Sequence, residues 1–230
     1  MAIDVNEKCW YKDFCSLIER QGCENCTKYK EMNYLMEHSG LPKAKQKAIR
    51  LFPTTDNDEK AFKLLNDIKN DIYNFVQDGN NLYIASRYTG NGKTSWAIKL
   101  LHKYFEEVWE GNCYRVRGLF IHVPTLLLEL KDFNHVMSSS YRKLLRECDL
   151  VVWDDIASTE LSNYDCTQLL ALIDYRMLAE KSNIYTGNIE SAKGIDDVIG
   201  TRLASRVYNA SEVIILDGKD RRHGSITDTE

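Results

Sequence analysis

A glycine-rich segment between a strand pattern and a helix pattern constrains the fold of this chain more than any other feature. Residues 86–94 read Ser-Arg-Tyr-Thr-Gly-Asn-Gly-Lys-Thr and directly follow the apolar run Leu-Tyr-Ile-Ala at 82–85. A helix pattern follows, with apolar residues at 96, 98, 100 and 101. A strand, a glycine loop and a helix in this order are typical of a phosphate-binding loop, because the free amides at the start of the helix face the anion.

The residue types in this loop match the chemistry of ATP and Mg²⁺. Gly90 and Gly92 would let the backbone curl around a phosphate without a Cβ in the way. Lys93 is expected to reach the β- and γ-phosphates, and the Thr94 hydroxyl is expected to bind Mg²⁺. The predicted cofactor-binding set is Gly90, Asn91, Gly92, Lys93, Thr94 and Ser95.

One position departs from the consensus G-x-x-x-x-G-K-[ST]. Arg87 stands where the first glycine belongs, so only the second half of the motif is intact. The alternative interpretation is a chance Gly-Asn-Gly-Lys-Thr turn in front of a helix.

A second motif supplies carboxylates. The apolar run Leu-Val-Val-Trp at 150–153 ends in Asp154 and Asp155, 60 residues after Thr94. Asp154 is predicted to hold the hydrated Mg²⁺, and Asp155 occupies the position at which ATPases of this kind usually carry a glutamate that polarises the attacking water. Aspartate is one methylene shorter, so we expect slow hydrolysis. The alternative is a buried strand that ends in two turn carboxylates.

The wider pattern predicts an α/β fold with a five-stranded parallel sheet covered by helices. The predicted strands are 82–85, 119–123, 150–153, 183–186 and 212–216, and the predicted helices are 58–78, 93–109, 124–131, 140–147, 165–180 and 196–208. We divide the chain into a cysteine-rich N-terminal module at 1–52, a connecting helix at 53–80 and an ATPase domain at 81–230.

Two further segments resemble AAA+ proteins. Residues 183–188, Asn-Ile-Tyr-Thr-Gly-Asn, resemble the sensor-1 strand, which implies that Asn188 reads the γ-phosphate. Residues 200–206, Gly-Thr-Arg-Leu-Ala-Ser-Arg, resemble the G-x-R-x-x-x-R signature of the DnaC/DnaI replicative-helicase loaders. In that family the second arginine, here Arg206, acts on the nucleotide of a neighbouring subunit, which implies self-association. The alternative for both arginines is a solvated helix face.

The pairing of N-terminal cysteines with Gly-Asn-Gly-Lys-Thr-Ser-Trp resembles the short loaders that bacteriophages encode. This resemblance implies an ATPase that acts in the host cytoplasm on a DnaB-type hexameric helicase and on single-stranded DNA. Because the sequence stops at Glu230, we expect no C-terminal helical lid. The Gly-Lys-Asp-Arg-Arg segment at 218–222 is a candidate for a sensor-2 arginine, with a flexible basic tail as the alternative.

Four of the seven cysteines fall in the first 26 residues, with the spacing Cys9-x5-Cys15-x7-Cys23-x2-Cys26. Four thiolates complete a tetrahedral Zn²⁺ shell, and a bound metal stabilises a segment too short to bury a core. The resemblance agrees, since loaders often grip the helicase through such a module. The alternatives are a helical N-terminus with Cys9 and Cys15 in its core, or His38 as a substitute ligand.

Charge and hydropathy limit the partners and the location. A net charge of −4 excludes a uniformly basic nucleic-acid coat but allows a local DNA groove. Candidate DNA contacts are Arg115 and Arg117 beside Tyr114, and the basic helix at 141–146, for which a solvated helix face is the alternative. The N-terminus lacks the apolar core of a signal peptide and no apolar run spans a bilayer, so we expect a cytoplasmic protein without membrane contact.

Two rival functions share these motifs. The first is an ATP-dependent transposition regulator of the IstB kind, against which the cysteine cluster argues. The second is a nucleotide-gated adaptor or inhibitor with little hydrolysis, which Arg87 and Asp155 favour.

Overall fold

The computed structural model describes residues 26–42, 51–108, 114–131, 139–158 and 161–218. The predicted zinc ligands Cys9, Cys15 and Cys23 and the basic tail at 219–222 lie outside these residues. No helix in the described ranges is long and apolar enough to cross a bilayer.

Five parallel strands form one sheet in the order β2-β3-β4-β1-β5, which confirms the predicted α/β fold with a five-stranded parallel sheet. The strands are β1 (Asn81–Ala85), β2 (Gly118–His122), β3 (Leu150–Asp154), β4 (Ser182–Gly187) and β5 (Glu212–Ile215). Because β4 lies between β1 and β3, the C-terminal ends of these three strands are neighbours, and parallel α/β sheets bind their ligands at this edge.

Helices cover both faces of the sheet. They are α1 (Thr27–Glu37), α2 (Asp56–Asn70), α3 (Ile72–Gln77), α4 (Lys93–Val108), α5 (Val123–Lys131), α6 (Ser139–Glu147), α7 (Asn163–Leu178), α8 (Ala192–Ile199) and α9 (Thr201–Ala204), and the π-helical turn Ser205–Asn209 follows α9. Side chains of β1 alternate between two buried clusters: Leu82 and Ile84 join the cluster around α4, whereas Tyr83 and Ala85 join the cluster around α7.

Helix α1 lies within the region that we assigned to the N-terminal module, and it packs into the core of the α/β domain. Its residues Met32 and Leu35 belong to the same buried cluster as Trp96 and Leu101 of α4. The backbone N–H of Phe120 at β2 donates to the Ser39 carbonyl at 2.6 Å, which ties the end of this segment to the sheet.

Two of the predicted helices are interrupted. The predicted helix 58–78 is α2 followed by α3, because Asp71 leaves the helical region with φ −117° and ψ 27°. The break lets both helices bury apolar residues, such as Leu65 in α2 and Phe75 in α3. The predicted helix 196–208 is broken at Gly200, whose φ of 77° L-amino acids rarely adopt.

A buried arginine joins α7 to the sheet. Arg176 is fully buried, and its guanidinium donates to the carbonyls of Leu145, Cys148, Asp149 and Ser182 and to the side-chain oxygen of Asn183. Desolvation by burial lowers the pKa of Arg176, and this ring of oxygens solvates the guanidinium in place of water.

Candidate nucleotide-binding site

The loop between β1 and α4 has the backbone conformation that its two glycines allow. Gly90 has φ 73° and Gly92 has φ 107°, both in the range that favours glycine. Helix α4 begins at Lys93, so its first free amides open into this loop. Strand, loop and helix therefore follow one another as the sequence pattern predicts.

The Lys93 side chain turns back into the loop. Its Nζ donates to the carbonyl of Tyr88 at 2.8 Å and to that of Ser86 at 3.3 Å, and the residue is 8% exposed. The ammonium is thus held among the backbone groups that would surround a phosphate. Ser95, another predicted member of the site, is half-buried in the first turn of α4.

Asn91 has a different role from the one its position suggests. Its side chain is fully buried, and its Nδ2 donates to Ser86 Oγ and, at 3.1 Å, to the Leu216 carbonyl beyond β5. The amide side chain therefore fixes the loop to the sheet, and only the Asn91 backbone is left to face a nucleotide.

The predicted magnesium pair is assembled across 60 residues of sequence. The Thr94 hydroxyl donates to Asp154 Oδ1 at 2.7 Å, and Asp154 is 4% exposed at the end of β3. A hydroxyl and a carboxylate are the oxygen ligands that Mg²⁺ prefers beside a nucleotide, so this donor set fits the metal.

Thr186 on β4 is a member of the site that the sequence pattern did not single out. Its hydroxyl donates to Asp154 Oδ1 at 2.8 Å and accepts from the backbone N–H of Asp155 at 2.9 Å. Asp155 has a φ of 64°, which is uncommon for a residue with a side chain. A hydroxyl-bearing residue near the C-terminal end of this strand was the available signal in the sequence.

Arg87 fills the position of the missing glycine through a contact with the segment after β4. Its backbone N–H donates to Glu190 Oε1 at 2.9 Å, and its Nε lies 3.6 Å from Glu190 Oε2. The hydroxyl of Tyr208 donates to the Glu190 carbonyl at 2.8 Å. Asn188, the predicted sensor, lies half-buried in this same segment, directly after Gly187.

Arg206 contacts helix α7 within its own chain. Its Nε lies 2.6 Å from Asp174 Oδ1, and the arginine side chain is 44% exposed. Arg202, the other arginine of the signature, is exposed.

Arg117, one of the predicted DNA contacts, takes part in an ion-pair cluster with Asp149. Arg117 Nε lies 2.5 Å from Asp149 Oδ2, and both side chains are 12% exposed. Lys181 contacts the other oxygen of Asp149 at 3.2 Å. Burial alone would raise the pKa of Asp149, but Arg117 and Lys181 outweigh it and hold that pKa below its usual value. Arg115, by contrast, is 60% exposed and reaches Asp149 only at 3.5 Å.

Of the four predicted zinc ligands, Cys26 alone falls in the described residues. It caps helix α1, and its Sγ accepts from the Tyr29 backbone N–H at 3.3 Å. Within the described ranges no three potential metal ligands lie together. The zinc site therefore stays a prediction.

Comparison with known proteins finds similar folds but no similar sequence family. No protein-family model matches the chain, and no curated protein matches its sequence. Among solved structures, the DnaC helicase loader matches with 20% identity and a TM-score of 0.60, covering 72% of this chain and 93% of its own. DnaI matches with 18% identity and a TM-score of 0.63, covering 79% and 94%. A replication initiator DnaA bound to AMPPCP and single-stranded DNA matches with 16% identity and a TM-score of 0.56, covering 73% and 49%.

These likenesses concern the fold alone: an α/β architecture with a five-stranded parallel sheet covered by helices. Of these three structures, one is named as a helicase loader and one as a replication initiator.

Proposed function

We propose that this protein is an ATP-dependent loader of a ring-shaped replicative helicase onto single-stranded DNA. The observation that carries the proposal is the 2.7 Å hydrogen bond between Thr94 and Asp154, because it joins the phosphate loop to a buried carboxylate. A chance glycine turn would have no reason to meet such a partner 60 residues away. The fold shared with DnaC and DnaI supports helicase loading as the use of that site.

The proposed roles follow from the chemistry of each group. Lys93 neutralises the β- and γ-phosphates, and Thr94 and Asp154 hold Mg²⁺. Asp155 orients the attacking water and Asn188 senses the γ-phosphate. Arg206 stabilises the transferring phosphoryl group of a neighbouring protomer, for which a planar guanidinium is suited. Because the Asp155 side chain is short, we expect turnover to be slow.

The proposed partners depend on the parts of the chain around this core. Zn²⁺ held by Cys9, Cys15, Cys23 and Cys26 would fold an N-terminal module that grips a DnaB-type hexamer. ATP and single-stranded DNA would bias the helicase ring toward an open state, and hydrolysis would release the loader. We further propose that the protein is encoded by a bacteriophage and works in the host cytoplasm.

The test is DNA-stimulated ATP turnover by the wild type, Lys93→Ala and Arg206→Ala, with zinc assayed on the same samples. Each variant alone should be inactive. Mixing the two should restore activity, because Lys93→Ala still carries the arginine that Arg206→Ala lacks, and Arg206→Ala still carries an intact phosphate loop. Turnover that survives Lys93→Ala would contradict the proposal.

The second candidate is a nucleotide-gated adaptor with little hydrolysis. Two observations favour it: the Arg87–Glu190 pair stands at a glycine position, and the carboxylate beside Asp154 is an aspartate. ATP binding without turnover, even with DNA and helicase present, would select this candidate. A pull-down with a hexameric helicase distinguishes the loader and the adaptor from an IstB-like regulator, because the regulator should not bind the helicase.

A further inference from the structure

We propose that Thr186 is a positioning residue of this site, whose hydroxyl fixes the metal-side carboxylate and the water-side aspartate as one unit. The proposal rests on the ATP site proposed above and assigns a role to a residue of the sensor-1-like segment that the sequence motifs did not single out. Thr186 lies on β4, 32 residues beyond Asp154 and on the strand beside it.

The two hydrogen bonds of the Thr186 hydroxyl have fixed donor and acceptor roles. The Asp155 backbone N–H can only donate, and an ionised Asp154 carboxylate can only accept. The Thr186 hydroxyl therefore accepts the first bond at 2.9 Å and donates the second at 2.8 Å. Bonds in such a chain polarise one another, so the loss of the hydroxyl weakens both ends.

Thr186 also holds the turn after Asp155. The backbone N–H of Ile156 donates to the Thr186 carbonyl at 3.0 Å. Asp155, with its φ of 64°, is thus held by its own amide and by that of the next residue, and both bonds end on Thr186. This double attachment sets the direction in which the Asp155 side chain leaves the backbone.

The orientation of Asp154 depends on the same hydroxyl. Thr94 precedes Asp154 by 60 residues, and Thr186 follows it by 32. Both hydroxyls donate to the same carboxylate oxygen, Asp154 Oδ1. Rotation of the carboxylate would break both bonds. Thr186 is 1% exposed and Asp154 4% exposed, so bulk water cannot replace the lost donor.

The test compares Thr186→Val, which keeps the shape and removes the hydroxyl, with Thr186→Ser, which keeps the hydroxyl. Groups that orient metal ligands typically contribute about 10- to 100-fold to activity or metal affinity. We expect Thr186→Val to lower kcat at least about tenfold and to raise about tenfold the Mg²⁺ concentration needed to bind a fluorescent ATP analogue. KM for ATP should change little, because Lys93 and the loop amides are untouched. Thr186→Ser should restore both values.

Ser182→Ala is the matched control on the same strand. Ser182 is fully buried, and its hydroxyl donates to the carbonyls of Phe75 and Val76 at the other end of β4. This variant should lower the melting temperature as Thr186→Val does, without changing kcat or the Mg²⁺ requirement. Equal effects of the two variants on kcat and Mg²⁺, or a Thr186→Ser variant that fails to restore them, would overturn the proposal.

Turnover and the Mg²⁺ titration test the proposed function and the role of Thr186 separately. A wild type that binds Mg-ATP but does not turn over would contradict the ATPase, while the Mg²⁺ titration would still decide the role of Thr186. A wild type that binds no nucleotide at any Mg²⁺ concentration would overturn both.

Discussion

Arg206 in the π-helical turn before β5 donates a 2.6 Å hydrogen bond to Asp174 in the C-terminal half of helix α7. The guanidinium is therefore oriented by its own subunit while 44% of the side chain stays accessible. An arginine that acts on a neighbour needs both properties, because an unrestrained side chain loses rotamer entropy when it docks.

Asp174→Asn should lower DNA-stimulated turnover several-fold, up to about tenfold, by releasing the orientation of Arg206. Nucleotide affinity of the single protomer should not change. The pair is half-exposed, so its loss should alter the free energy of unfolding by less than about 1 kcal/mol. Steady-state kinetics and analogue binding on the same preparation measure the two effects. A parallel loss of affinity would contradict the assignment.

Asn91→Ala should weaken ATP binding about tenfold although every predicted phosphate contact is retained. Its buried amide ties the loop to Ser86 and Leu216, and loss of such a buried hydrogen bond costs about 1–3 kcal/mol. Thr89→Ala is the control, because Thr89 lies in the same loop with an exposed side chain. Fluorescent-analogue titration and thermal melting provide the measurements; equal affinities for the two variants would refute the role of Asn91.

Arg176→Met should be the most destabilising of these changes, by about 3 kcal/mol or more. The methionine fills much of the volume but leaves several buried oxygens, such as those of Cys148 and Ser182, without their donor. Arg142→Met, at an exposed position on α6, should change the free energy of unfolding by less than about 0.5 kcal/mol. Urea unfolding of both variants tests the difference.

His102 should make the protein less stable in mild acid. Burial lowers the pKa of His102 to about 4 from 6.5, so between these values the unfolded chain binds a proton that the folded chain excludes. Stability must then fall as the pH drops from 6.5 toward 4, by about 3 kcal/mol over the whole window. His102→Leu should flatten this part of the curve. His122→Leu, at an exposed position, should leave it unchanged.

Local patterns were sufficient to predict the sheet and the conformation of the glycine loop between β1 and α4. Each strand is a short apolar run beside turn residues, and Gly90 and Gly92 stand where only glycine suits the backbone. The pairing of Thr94 with Asp154 was also predictable, because the chemistry of Mg²⁺ requires a carboxylate on a neighbouring strand.

Contacts between distant segments could not be predicted in the same way. No local signal separates Arg176, in the core, from an ordinary solvated arginine on a helix. The sequence around Arg117 likewise gives no sign of its ion pair with Asp149, which forms because β2 and β3 are neighbours. Thr186 belongs to the site only because β4 lies between β1 and β3. The order of strands in a sheet cannot be predicted from the sequence of one strand.

Glu190 connects the loop after β1 to the π-helical turn before β5. The start of the phosphate loop is fastened to its carboxylate through Arg87, while the turn that carries Arg206 is fastened to its carbonyl through Tyr208. A shift of the loop upon phosphate binding must either carry this residue along or break its bonds. A movement of this loop would therefore be transmitted through Glu190 to Tyr208, which lies two residues from Arg206.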